Sequence, residues 1–165
     1  MAFTTLLTQL TTQGVCATET AKVHLGWLVS LPGDVLLAAG GLRVEGAHRY
    51  RRGCVFGSTD GGETWDEVEV LGREPDLSGA AITHLVGVGR AHVFGLVDEV
   101  AEGADWWRHL ARSANAGSTW EVVALDLPSA FDSGLPTVRR FEFLDPSHGL
   151  LEMESSTGVV APWTT

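Results

Sequence analysis

Ser58-Thr59-Asp60-Gly61-Gly62-Glu63-Thr64-Trp65 recurs 55 residues later as Ser113-Ala114-Asn115-Ala116-Gly117-Ser118-Thr119-Trp120. The serine, the Asp/Asn position, the second glycine, the threonine and the tryptophan coincide. An acidic and β-branched run follows each copy, Glu67-Val68-Glu69-Val70 in the first and Glu121-Val122-Val123 in the second. These residue types at this spacing describe a clamped hairpin. The serine hydroxyl and the Asp or Asn side chain accept turn N–H groups that a strand ladder leaves unpaired. Glycine supplies the positive φ angles of a tight turn. The tryptophan ring folds back over the turn and buries a large apolar area. Such a carboxylate is engaged by its own backbone, and nothing in the motif requires catalysis.

Outward from the two octapeptides, pairs of short strands broken by a turn precede each copy, at 25–30 with 35–39 and at 82–88 with 92–97. A third pair occupies 138–144 and 149–154, and further strand candidates are 54–58, 65–70, 106–112 and 120–125. Helical periodicity is confined to 3–10, where Leu6, Leu7 and Leu10 share a helical face although the threonines fit a strand equally well. The expectation is an all-β domain built from about two and a half copies of a four-stranded unit. Residues 1–21 form an N-terminal strand or arm, 22–72 the first unit, 80–127 the second and 137–165 an incomplete third. In that third unit 158–165 would be the third strand, and 3–12 would supply the outer fourth.

The pattern Ser58-x-Asp60-x-Gly62-x-x-Trp65 resembles the Asp-box, or BNR repeat, of sialidases, sortilin-type receptors and photosystem II assembly-factor-like β-propellers. Asn115 replaces the aspartate in the second copy, and the third unit has no box. Phe141-Glu142-Phe143-Leu144-Asp145-Pro146-Ser147-His148-Gly149-Leu150 is similar to the first hairpin of assembly-factor-type blades. The resemblance implies four-stranded antiparallel propeller blades, about three per chain, with Ser58, Asp60, Gly62, Trp65, Ser113, Asn115, Gly117 and Trp120 as structural box residues on the rim. Propellers close with about 4–8 blades, so a half-propeller that closes by homodimerisation is the expected architecture, and a distorted β-sandwich its rival.

Composition narrows the function. Asp and Glu number 21 against 11 Lys and Arg, a net charge of −10. That disfavours nucleic acid and anionic membranes as partners, since both attract a basic face. The acids are concentrated: residues 60–105 hold eleven acidic and two basic side chains, and residues 1–59 three acidic and five basic. A basic protein partner fits that middle third, and so does a solvated face that maintains solubility. No long apolar run or secretory start is evident, and Cys16 and Cys54 are too few for a disulfide framework, so a cytoplasmic, reduced protein is expected.

The loops between second and third strands supply candidate contact residues: Arg43, His48, Arg49, Tyr50, Arg51 and Arg52 in the first unit, Trp106, Trp107 and Arg108 in the second. Arginine and tryptophan are enriched at binding hot spots, and these would suit a partner protein or an anionic or carbohydrate ligand. Strand alternation places one of Trp106 and Trp107 in the core. The primary reading is a non-catalytic protein-interaction module, in one version an acidic inhibitor or immunity-type protein. A glycan-binding or sialidase-like module centred on Tyr50 is the alternative, and an assembly chaperone a third. No catalytic residue, metal site or cofactor is expected: there is no nucleophile elbow or phosphate loop, and the six histidines make no ligand pairs.

Overall fold

The computed structural model describes residues 21–44, 50–68, 80–100, 106–125 and 136–164, all of them in strands, turns and their connections. The elements are β1 (Ala21–Leu31), β2 (Val35–Val44), β3 (Tyr50–Ser58), β4 (Asp66–Val68), β5 (Ala80–Val88), β6 (His92–Val100), β7 (Trp106–Ser113), β8 (Glu121–Ala124), β9 (Thr137–Asp145), β10 (His148–Glu154) and β11 (Val160–Thr164). They form two four-stranded antiparallel meanders, β1-β2-β3-β4 and β5-β6-β7-β8, and a three-stranded sheet in spatial order β11-β10-β9. The fold is all-β and propeller-like: three blades follow one another in chain order. The tail strand expected for the third blade is β11. The segment 3–12, expected as its fourth strand, lies outside the described residues.

Strand alternation explains how the blades stack. On β6 the odd positions Val93 and Val97 face blade 1, where they join Leu31, Leu37, Ala39 and Val55 in one core with Ala111 and Trp120. The even positions Phe94 and Leu96 face blade 3 and meet Phe141, Leu151 and Met153. Blade 2, apolar on both faces, is thus the centre of the stack. Each fully buried Leu, Val or Phe in these joints contributes about 1.5–3 kcal/mol. Blade 1 is also buried at Ala38, Cys54 and Phe56, on the face opposite Ala39 and Val55.

The far face of blade 3 differs. Arg140, opposite Glu152, and Glu142, opposite Leu150, lie on the side away from Phe141 and Leu151, and Arg140 pairs with Glu142 at 2.9 Å. Arg139 bonds to Glu154 nearby. This is a solvated sheet face, unlike the apolar joints on either side of blade 2.

The two octapeptides close their hairpins with their own side chains. Ser58 Oγ accepts the Gly62 N–H at 2.9 Å and donates to Asp60 at 2.8 Å. Both Asp60 oxygens accept the Thr64 N–H, at 2.9 and 3.0 Å, and one also accepts the Thr64 hydroxyl. Trp65 Nε1 donates to the Gly62 carbonyl at 3.2 Å. In the second turn Ser113 accepts from Gly117, Asn115 from the Thr119 N–H, and Trp120 donates to Gly117, each at 2.9 Å. Asn115 substitutes for aspartate by reversing one bond: its Nδ2 donates to the Thr119 hydroxyl. A reduced version follows β10, where Ser155 Oγ accepts the Val159 N–H at 3.0 Å.

Candidate functional site

The first strands of the three blades meet, β5 packing against β1 on one side and β9 on the other. Each carries a β-bulge at the corresponding place. In β1 the register passes from Leu25 to Trp27 without matching Gly26. In β5 it passes from Ile82 to His84 and leaves out Thr83. In β9 Val138 and Arg140 are matched while Arg139 is not. A bulge adds one residue, bends its strand and re-aims the side chains beside it. Here it sets Trp27 and His84 beside a shared groove whose far wall is the bulged stretch of β9 around Arg139. Gly40 permits the first bulge: a Cβ there would lie 1.9 Å from the His24 carbonyl oxygen.

The groove, about 360 Å³, is lined by Trp27, His84, Val138, Arg139, Arg140, Phe141 and Glu142 among others. A smaller concavity of about 210 Å³, lined by His24, Gly26, Ile82 and Thr83, adjoins it across Trp27. The Trp27 ring lies against His84 with centroids 4.4 Å apart and the planes tilted by 31°, and His84 meets the Phe141 ring edge-on at 6.1 Å. Trp27 keeps 37% of its surface exposed, an aromatic platform rather than a core residue.

Behind this platform lies a buried ion pair. Arg108 donates from Nε and Nη2 to the two Asp98 oxygens at 2.5 and 2.9 Å, and from Nη1 to the Pro136 carbonyl at 2.9 Å. Both side chains are nearly inaccessible to water. The arginine therefore ties blade 2 to the start of blade 3. Its burial also affects His84, which is held below the usual histidine range by desolvation first and by the Arg108 charge second, with Asp98 opposing.

Arg108 was expected on a contact surface, and the structure corrects this: its position faces Asp98 across the ladder and turns into the blade 2–blade 3 joint. His48 and Arg49 lie outside the described residues. Arg43 pairs with Tyr50 in the β2–β3 ladder, followed by Arg51 and Arg52, and Trp106 and Trp107 begin β7; for these the strand placement alone is described. The octapeptide residues occupy their turns. Asp60 is held far below the ordinary carboxylate range by the Thr64 hydroxyl, the Thr64 N–H and the Ser58 hydroxyl, in that order. Cys54 is buried. Among the described residues no group of His, Cys, Asp and Glu could hold a metal, and no helix is long and apolar enough to cross a membrane.

No protein-family model and no curated protein matches the chain. Among solved structures, the α-L-arabinanase of Penicillium chrysogenum complexed with arabinobiose is similar to it, with a TM-score of 0.50 and 17% sequence identity. The likeness is one of fold. It covers 83% of this chain and 44% of the arabinanase, so this chain spans less than half of that protein's length.

Trp27, His84, Phe141 and Asp98 were not among the candidates read from the sequence. A repeated bulge leaves no residue-type signature, since Gly26, Thr83 and Arg139 share no chemistry. Superposing the first two repeats at their octapeptides places Gly26 and Thr83 near the same strand position, a signal that could have found Trp27 and His84; the third unit, with no octapeptide, offers none for Phe141.

Proposed function

We propose that the chain is a non-catalytic recognition module whose ligand lies on Trp27 in the groove where the three first strands meet, and that a short saccharide is the ligand class this groove fits. The observation that carries the reading is the exposed Trp27 ring, backed by His84, in a groove whose rim on β9 includes Arg139, Arg140 and Glu142. An aromatic face takes the C–H face of a sugar ring, while guanidinium and carboxylate groups at its edge hydrogen-bond hydroxyls. Binding without turnover is supported by the state of the nearby carboxylates. Glu142 is paired with Arg140, and Asp98 is held at both oxygens by Arg108. Glycoside hydrolysis generally needs two carboxyl groups facing one glycosidic bond.

Titration calorimetry with arabinobiose, xylobiose and cellobiose tests this. Saturable heat with at least one disaccharide, lost in Trp27→Ala, is the expected result. No heat with any of them, or undiminished binding by Trp27→Ala, would refute the saccharide reading.

A second reading, a basic protein partner, is favoured by the outer edge of blade 1, where Asp60, Glu63, Asp66 and Glu67 cluster at the first octapeptide turn and β4. An inhibitor or immunity-type role would use this acidic edge together with the net charge of −10. Its affinity would fall steeply with salt, and reversing Glu63 and Asp66 to lysine would abolish it; insensitivity to both changes would exclude it.

A further inference from the structure

We propose that His84 gates this groove through its protonation state: neutral, it holds Trp27 and Phe141 in the ligand-competent arrangement, and protonated, it forces them apart. The inference rests on the groove being the ligand site, and it adds the regulation of that site. Two features of the geometry support it. The His84 ring meets both aromatic rings, one from β1 and one from β9, so it joins blades 1 and 3 on the strand of blade 2. It sits beside a bulge, where the backbone can adjust without unzipping the ladder.

The charged surroundings give the gate its sign. From β7 comes the Arg108 guanidinium and from β6 the Asp98 carboxylate, which Arg108 already engages at both oxygens. From β9 come Arg139, paired with Glu154, and Arg140, paired with Glu142. From β1, His24 lies in the adjoining concavity across Trp27. On its own strand the Thr83 hydroxyl is 3.3 Å from His84 Nδ1. β2 and β3 meet β5 with the apolar Leu37, Ala39 and Val55. No uncommitted carboxylate among these groups is placed to receive an imidazolium, and Arg108 repels one.

Burial and Arg108 hold the folded His84 below the ordinary histidine value of 6.5. A base so shifted takes its proton more readily in the opened form. The closed arrangement is therefore fully favoured above that ordinary value and weakened as pH falls through the folded midpoint. If only the neutral form binds, apparent affinity tracks the neutral fraction and drops about tenfold per pH unit below the midpoint.

Three measurements decide it. The His84 Cε1–H resonance should titrate below the ordinary histidine value. Tryptophan emission, taken as the difference between the wild-type protein and Trp27→Phe, should change with the same midpoint. Arabinobiose affinity should fall across that midpoint, while His84→Phe, which keeps a ring against Trp27 without a titratable nitrogen, should remove the pH dependence of both. His148→Gln, on a distant turn, should leave the emission profile unchanged. A His84 resonance at or above the ordinary value, or a His84→Phe emission profile that superimposes on the wild type, overturns the gate. If the disaccharides bind at no pH, the saccharide reading fails, and the resonance and emission measurements still decide the gate.

Discussion

Replacing Arg108 with methionine breaks the strut between blades 2 and 3. Arg108 and Asp98 are 5% and 6% exposed. The substitution strands a carboxylate in the joint and leaves the Pro136 carbonyl without its donor. Removing one partner of a buried pair costs about 3–5 kcal/mol, most of it the penalty of the orphaned charge. For a chain of this size about 1 kcal/mol moves the midpoint by about 2–4 °C, so the loss should be on the order of 6–20 °C. Asp98→Leu combined with Arg108→Met removes both charges, and apolar replacement of a buried pair is often neutral, so the double variant should regain most of the loss. Urea denaturation followed by tryptophan emission and circular dichroism, analysed as a double-mutant cycle, measures these terms. A single variant within about 1 kcal/mol of wild type, or a double variant no better than the singles, would refute the assignment of the pair as a buried strut.

Further outcomes are expected elsewhere. The bonds from Thr64 and Ser58 lower the folded Asp60 carboxyl below its ordinary 3.8, so its stabilisation is present above that value and lost as pH falls through the folded midpoint. Asp60→Asn, which copies the second turn, should flatten the acid limb of the stability curve, and an unchanged limb would contradict the clamp. Gly117 has φ +86° and a Cβ there would lie 2.6 Å from Leu37, whereas Gly61 has φ +73° with its nearest neighbour at 3.9 Å. Gly61→Ala should therefore cost about 1–2 kcal/mol from the backbone alone and Gly117→Ala about 1–3 kcal/mol more from overpacking; the reverse order in denaturant melts would be inconsistent. A six-blade ring made by two chains would bury Arg140, Glu142 and Glu152 at its seam. Light scattering should accordingly return the mass of one chain, 17.6 kDa, and twice that mass would restore the paired ring.

The fold was legible because its decisive signals are local. Ser58, Gly62 and Trp65 sit within one turn, so hydrogen bonds spanning three or four residues write themselves into a short motif that recurs. Valine, glycine and aromatic runs mark the meander strands for the same reason. The groove was not legible, because Trp27, His84 and Phe141 come from three blades and meet only once the sheets stack. Loop composition pointed to Arg108, a residue whose charge suggested exposure. Its side chain is instead neutralised by Asp98, ten positions earlier and directly opposite it in the β6–β7 ladder. A charged residue on a strand can be read correctly only with its cross-strand partner in view.

The most direct test of the groove follows the six tryptophan indole N–H resonances, assigned by single Trp→Phe replacements, while arabinobiose is added. The account predicts that the Trp27 indole shifts with saturation, together with the backbone amides of His84 and Phe141, while Trp65 and Trp120, fixed in their turns, stay in place. Shifts confined to the acidic edge around Glu63 and Asp66, or a Trp27 resonance that never moves, would contradict it.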